Sequence, residues 1–353
     1  MFPVPRLGRQ KTYAAYPSHA FPWLPSIWLL RLVVLFNLIS VGGASVAHAQ
    51  KPDLMKLPGN LNLGFTSFLD GFALQKPGPQ KPGCLYLQYA RNNYWHQIHD
   101  KSGHDIPDFD NPKIDLASAV SQLFCDTPIK VFGGVLGFEG FVAVANIDSS
   151  FGPSGVPLQD NGFGLADIAF APFVKLPPVI SDGRPIFAQR FSFYFSAPVG
   201  KFDTDKDFNQ GNGYWSLTPY WAATWFPDPQ WEVTWRLYYI YNFETSRVAS
   251  SLFPNFGNGQ AGQAMSLNFV ISRAITSQFR IGLNGYYLKQ LTDDELDGQS
   301  YSGGKEEALY IGPGFHYDFD AQNALNFNAY FPLEDKNRPS GGEQFNLMFV
   351  HVF

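Results

Sequence analysis

Polar and apolar residues alternate with a period of two over much of the chain, most clearly at 231–243. There Trp231, Val233, Trp235, Leu237, Tyr239 and Tyr241 share one face, and Glu232, Thr234, Arg236, Tyr238 and Asn242 share the other, with Ile240 out of place among the polar set. Successive side chains of a strand point to opposite sides, so such a segment has two unlike surroundings. The pattern recurs at 214–225, where Trp215, Leu217, Trp221, Ala223 and Trp225 oppose Tyr214, Ser216, Thr218, Tyr220 and Thr224. It recurs again at 191–197, 279–288 and 325–333. A row of tryptophan and phenylalanine facing a row of polar groups suits a strand with acyl chains on one side and a barrel lumen on the other.

Reading the whole chain this way predicts strands at 84–95, 115–125, 129–146, 164–174, 187–197, 213–225, 230–243, 263–273, 277–291, 305–317, 323–333 and 342–353. The links between them alternate in length. Those after even-numbered strands are short, as at Asp126–Pro128, Phe226–Pro229, Ala274–Thr276 and Asp318–Gln322, and those after odd-numbered strands are long and rich in Gly, Asn, Asp and Pro. That is the order of an outer-membrane barrel, with short periplasmic turns and longer external loops. The fold class predicted is all-β: an antiparallel up-and-down transmembrane β-barrel of about 12 strands, with a cleavable N-terminal signal peptide. The segment 175–186 is long for a periplasmic turn, and Pro172, Pro219, Pro313 and Pro332 are expected near strand ends, because a closed barrel has no edge where a missing N–H is harmless.

The front of the chain reads differently. The apolar run 32–41 follows Arg31 and is too short for a spanning helix, which needs ~20 apolar residues. Ala47-His48-Ala49 then supplies a signal-peptidase pattern, so cleavage is expected between Ala49 and Gln50. Three regions follow: 1–49, signal peptide and its basic front; 50–80, a proline-rich periplasmic segment or an inward plug; and 81–353, the barrel. The location expected is the outer membrane of a Gram-negative bacterium.

Composition changes the picture modestly. The aromatic load is heavy, with Phe 34, Tyr 17 and Trp 8, while the net charge of −5 comes without a basic block, so nucleic acid is not an expected partner. Two cysteines, Cys84 and Cys125, do not make a disulfide framework, and the reading favoured is that they are unpaired or incidentally paired. The last strand places Phe345, Leu347, Phe349 and Phe353 on one face, a terminal aromatic pattern suited to recognition by barrel-insertion machinery.

Several blocks resemble the family of outer-membrane proteins named for the meta-pathway of phenol degradation. They are Lys81 to Tyr89, Lys130-Val131-Phe132-Gly133-Gly134, Gly162 to Ile168, and Ala197-Pro198-Val199-Gly200-Lys201-Phe202-Asp203 followed by Gly211-Asn212-Gly213-Tyr214-Trp215 and Pro219. Ala166 stands where a glycine is usual, and 250–262 lacks the family's Ser-Gly pair. The resemblance implies an outer-membrane channel for uptake of aromatic or other hydrophobic compounds.

If solute passes through the lumen, the inward set determines what passes. The lumen-lining candidates are Glu232, Arg236, Thr234, Asn268, Ser272, Arg280, Asn284, Asn326, Asn328, Tyr220 and Tyr238. Their mixed charge and tyrosine content suit a partly apolar solute, since tyrosine offers a ring to pack and a hydroxyl to hydrogen-bond. The bland alternative is that Glu232 and Arg236 belong to an internal charge network filling a narrow barrel. No cofactor or metal is implied. His96, His99 and His104 fit no closed site, and Asp203-x-Asp205-x-Asp207-x-Asn209 lacks the glycine and glutamate of a calcium loop. The remaining partners expected are membrane lipid, lipopolysaccharide and a small hydrophobic solute. Enzyme activity is not expected, because the strand histidines His316 and His351 come without an evident acidic orienter and nucleophile. A structural or plugged barrel without transport is the other alternative.

Overall fold

The computed structural model describes residues 82–249 and 256–353, so the expected cleavage at Ala49 and Gln50 and the segment 50–80 lie outside the described residues. Twelve strands form the wall: β1 (Gly83–Trp95), β2 (Lys113–Val131), β3 (Gly134–Ser150), β4 in two pieces (Gly162–Leu165 and Ile168–Lys175), β5 (Arg184–Ala197), β6 (Ser216–Trp225), β7 (Trp231–Asn242), β8 (Ala264–Ala274), β9 (Phe279–Gln290), β10 (Glu307–Asp318), β11 (Asn323–Lys336) and β12 (Gln344–Val352). Each strand runs antiparallel to the next, and β12 returns to β1 with Tyr89 opposite Met348 and Ala90 opposite Leu347. The sheet is therefore closed and has no edge.

The two faces of the wall are chemically opposite. Phe191, Phe193, Phe195, Trp225, Trp231, Ile271, Leu283 and Leu347 are exposed on the outside, while Arg190, Ser192, Glu232, Ser272, Asn284 and Asn326 are buried inside. Apolar outside and polar inside is the arrangement that hydrocarbon surroundings favour, and a closed sheet leaves no backbone group unpaired at an edge there. Ile240 is buried inside, and Tyr239 faces out beside it.

Four sequence expectations change on folding. The first short turn is not at Asp126–Pro128. It lies at Phe132–Gly133, whose φ values of 51° and 78° make the tight turn that matches strand twist. Pro128 is absorbed in a register shift between Asp126 and Lys130, where Thr127 Oγ1 donates to the Leu136 carbonyl at 2.7 Å. The long link 175–186 is largely a continued ribbon: Val179–Ser181 pairs with β5 and turns at Asp182–Gly183, again with positive φ at both positions.

The prolines do not sit at strand ends. Pro172, Pro219 and Pro313 lie within ladders, opposite Phe138, Phe193 and Leu283 respectively. In each case the pairing to one neighbour is continuous while the pairing to the other lapses, from Phe170 to Phe173 toward β5, from Tyr238 to Tyr241 opposite Pro219, and from Ile311 to Gly314 toward β11. A residue's N–H points to one side only, so a proline interrupts one ladder and leaves the other intact. Pro332 lies beside the register shift at Leu309/Tyr310. Finally, the cysteines are paired: Cys84 of β1 is bonded to Cys125 of β2, directly opposite it in the ladder.

The end with the long links is capped by apolar clusters. Trp95, Ile98, Phe109, Ile114, Val156 and Leu158 pack together from the first two loops. Tyr214, Val248, Ala261 and Leu296 form a second group. Short strands stitch the loops to each other, with Gln97–His99 against Arg338–Ser340 and Gly259–Gln260 against Asp294–Leu296.

Candidate functional site

The inward residues of the wall form the candidate site. Glu232, Thr234, Arg236, Asn268, Ser272, Arg280, Asn284, Asn326, Asn328 and Tyr220 are all buried on that face, and Tyr238 is half-buried beside them. What brings them together is alternation in β6 to β11 combined with a register that sets Arg236 opposite Asn268 and Ala222, and Tyr238 opposite Tyr220.

Toward the short-turn end the interior is packed around Glu139. Its carboxylate accepts hydrogen bonds from Gln122 Nε2 at 2.8 Å, Ser192 Oγ at 3.1 Å and the Tyr220 hydroxyl. Tyr220 in turn accepts from Arg190 Nη2 at 2.8 Å, and Tyr89 donates to Gln122 at 2.7 Å. The Arg190 guanidinium lies 4.9 Å from the Phe124 ring, 5.6 Å from Phe173 and 5.4 Å from Tyr220, so aromatic faces surround the cation. Phe124 and Phe173 stack at 4.2 Å and continue into an apolar cluster with Leu87, Val120, Met348 and Val350. Side chains from β1, β2, β4 and β12 thus meet across this part of the lumen.

Glu232 and Arg236, both inside, have different partners. Glu232 Oε2 lies 3.5 Å from Arg280 Nε, whereas Arg236 donates to the Tyr238 hydroxyl at 2.7 Å and lies 5.0 Å from the Tyr220 ring. Strand stagger decides this, because β9 reaches the Glu232 level past β8. Arg280 also donates to Ser272 at 3.3 Å. His316 has the acidic neighbour that the sequence did not reveal, with Nε2 3.2 Å from Asp318 and Nδ1 3.0 Å from Asn326.

Toward the long-loop end, Tyr286 stacks on Tyr310 at 5.0 Å and meets Tyr330 edge-on at 5.6 Å. Tyr310 donates to Asp335 at 2.7 Å, and Arg338 reaches Glu306 at 3.0 Å. Asn328 donates to Asn284 at 3.1 Å. The break in β4 has its own purpose in the fold: Asp167 accepts from the backbone N–H of Gly200 at 3.0 Å and of Asn212 at 2.8 Å, tying the loop 198–215 to the wall. A Cβ at Gly200 or Gly211 would lie 2.8 Å from Asp167 Oδ1, so both positions need glycine for this close approach. Two sequence blocks far apart in the chain are thus two halves of one contact.

The acidic loop's side-chain oxygens accept from backbone N–H groups of its own and of the loop that contains Gln159. Asp203 Oδ1 accepts from the Asp205 N–H at 2.9 Å, Asp207 from the Gln159 N–H at 2.7 Å, and Asn209 Oδ1 from the Asp203 N–H at 2.9 Å. Among the described residues no group of three or more His, Cys, Asp or Glu is arranged to hold a metal. His99 sits against Asp105 at 3.3 Å and the Asp335 carbonyl at 3.1 Å. Sequence reasoning missed Glu139, Arg190, Gln122 and Arg91 as interior residues. The available signal was parity: each lies in phase with the inward set of a strand already recognised.

Comparison with known proteins places the chain. The sequence profile of the family described as "Putative MetA-pathway of phenol degradation" matches residues 96–349. The crystal structure of the COG4313 outer membrane channel from Pseudomonas putida F1 superposes with a TM-score of 0.67 at 15% identity, covering 78% of this chain and 97% of that one. The KdgM porin superposes with a TM-score of 0.37 at 10% identity, over 76% of this chain and 99% of that one. The TodX monoaromatic hydrocarbon channel deltaS2 mutant does so at 0.39 and 8%, over 78% and 90%. No curated protein matches the sequence.

Proposed function

The chain belongs to the family described as "Putative MetA-pathway of phenol degradation", and from that premise we propose that it is an outer-membrane channel for passive uptake of small hydrophobic or aromatic compounds through the barrel lumen. The observation that carries the solute class is the inward wall itself. Tyrosine rings and amides, as in Tyr220, Tyr238, Tyr286, Tyr310 and Tyr330 beside Asn284 and Asn328, stand there among charged groups of both signs such as Glu232, Arg236 and Arg280. Such a wall offers ring contact and single hydrogen bonds, which a partly apolar solute uses better than a strongly hydrated ion does. Barrel-insertion machinery would read Phe345, Leu347, Phe349 and Phe353, and lipopolysaccharide would surround the external end.

A second reading, a plugged barrel without transport, is favoured by the packed network around Glu139 and Arg190. Two measurements separate them. Cells with and without the protein are compared for uptake across a panel of aromatic and aliphatic substrates, and the purified protein is recorded in a planar bilayer. The channel reading expects faster uptake of aromatic members and discrete conductance steps. A silent bilayer together with equal uptake of every compound would leave the plugged barrel.

A further inference from the structure

Among the described residues, one piece of the wall pairs with a strand on one side only. Ile168–Lys175 of β4 lies between β3 and β5, but Gly162–Leu165 pairs with β3 alone. On its other side runs the loop 198–215. The Leu165 carbonyl accepts from the Lys201 N–H at 2.8 Å, and three more carbonyls are met by side chains instead of backbone. Lys201 Nζ donates to Phe163 at 3.1 Å and also to Asn161, and Gln210 Nε2 donates to Gly162. Backbone groups in hydrocarbon surroundings have to be satisfied. Two side chains therefore stand in for a missing strand along this seam.

Both sides of the seam are apolar. Outside, Phe163 is 66% exposed, and Leu165 and Val199 are exposed with it. Inside lies a cavity whose apolar lining, Val120, Ala143, Ala145 and Ile147, reaches Ala166 and Gln210. Gln210 thus borders the cavity and stitches the seam with one side chain. Toward the short turns the way is packed, because Val120 belongs to the same cluster as Phe124 and Phe173, next to the Glu139 network.

We propose that a small apolar solute leaves the lumen sideways at this seam, passing between Gly162–Leu165 and the loop 198–215 into the surrounding membrane. Lys201 and Gln210 form the gate. They release by side-chain rotation, which is fast, whereas parting two paired strands is a collective motion that breaks a run of backbone bonds. Phe163, Leu165 and Val199 then receive the solute on the membrane side, where a charged one would find no partner. This deepens the channel reading and rests on it, since it names the way out of the lumen for the same solute class.

Gly164 and Lys201 face each other across the seam. A Cβ at Gly164 would lie 2.8 Å from the Lys201 Cβ, so a shift of about 1 Å brings a cysteine pair to disulfide distance. Cells carrying the parent protein, Gly164→Cys/Lys201→Cys or Lys201→Ala/Gln210→Ala are compared with cells lacking it for entry of N-phenyl-1-naphthylamine. This apolar dye fluoresces on reaching the membrane interior. Each purified protein is also recorded in a planar bilayer. Oxidising the cysteine pair is expected to cut protein-dependent dye entry severalfold and a reductant to restore it, with ion conductance unchanged because ions do not take an apolar exit. The alanine pair is expected to speed dye entry severalfold, again at unchanged conductance. The parent, whose Cys84–Cys125 bond the reductant also opens, is expected to keep its rate. Slower migration of boiled than unboiled samples on a gel establishes folding, and thiol labelling establishes the crosslink; if the cysteine pair does not fold or bond, the alanine pair carries the test. Dye entry equal in crosslinked and reduced forms, equal in the alanine pair and the parent, or lost only together with conductance would overturn the side exit. Parent conductance steps without faster dye entry overturn the exit and leave the channel reading, whereas absence of both removes the channel reading itself.

Discussion

At the scale of single residues, Glu139 ties three interior side chains together. Its carboxylate is the shared acceptor for Gln122, Ser192 and Tyr220 on three strands. Glu139→Ala leaves three buried donors without that acceptor, and each stranded donor costs about 1–3 kcal/mol. A total loss on the order of 3 kcal/mol or more is expected from the same principle, read as a lower urea midpoint for unfolding from detergent micelles. A midpoint equal to that of the parent protein would mean that the network does not hold this part of the lumen together. Outside the membrane, Asp110 has a simpler role. The Ser154 hydroxyl and N–H, with the Asn111 amide, donate to its carboxylate and hold its pKa below the usual carboxylate value. A lowered folded pKa means that the tie is fully present above the ordinary carboxylate pKa and is lost as pH falls through the lowered one. Protection of the Ser154 amide from hydrogen exchange, corrected for intrinsic rate, should therefore hold at neutral pH and drop only in acid. Asp110→Asn should show the reduced protection at every pH.

At the scale of strands, the disulfide joins neighbours that are already paired, so its effect falls on the unfolded chain. The bond between Cys84 and Cys125 closes a loop with a separation of 41 residues. In the chain-entropy account a loop of that length is worth about 4 kcal/mol. Replacing both cysteines with serine is expected to lower unfolding stability by up to about that much while leaving the barrel closed, and an added reductant should reproduce the shift in the parent protein but not in the variant. The prolines teach the complementary lesson. The rule that keeps proline out of central strands treats both ladders as equally needed, but Pro172, Pro219 and Pro313 each give up pairing on one side only. The hairpin at Phe132–Gly133 extends past the expected turn for a related reason: a bulge at Asp126 to Lys130 takes up Pro128 without ending the strand.

At the scale of the whole molecule, the protein is a closed β-barrel of the outer-membrane type, and its interior divides into unlike parts. Rings and charges fill the lumen near the short turns, a tyrosine group with Arg338 and Asp335 occupies the far side, and a cavity remains beside Arg91. The number of strands, their polarity of facing and the alternation of short and long links were legible in the residues alone. Side-chain direction in a strand follows from local backbone geometry, so a period of two in the sequence is already a statement about inside and outside. That is why Glu232, Asn284 and Asn328 could be assigned to one face from the sequence, and why Arg190 would have followed from its phase with Ser192. Which inward groups meet was not legible. Glu232 pairs with Arg280 rather than Arg236, Asp167 holds Gly200 and Asn212, and Glu139 gathers partners from β2, β5 and β6. Those choices depend on strand stagger and on the closure of β1 against β12, which sum over the entire sheet and leave no mark in any single segment.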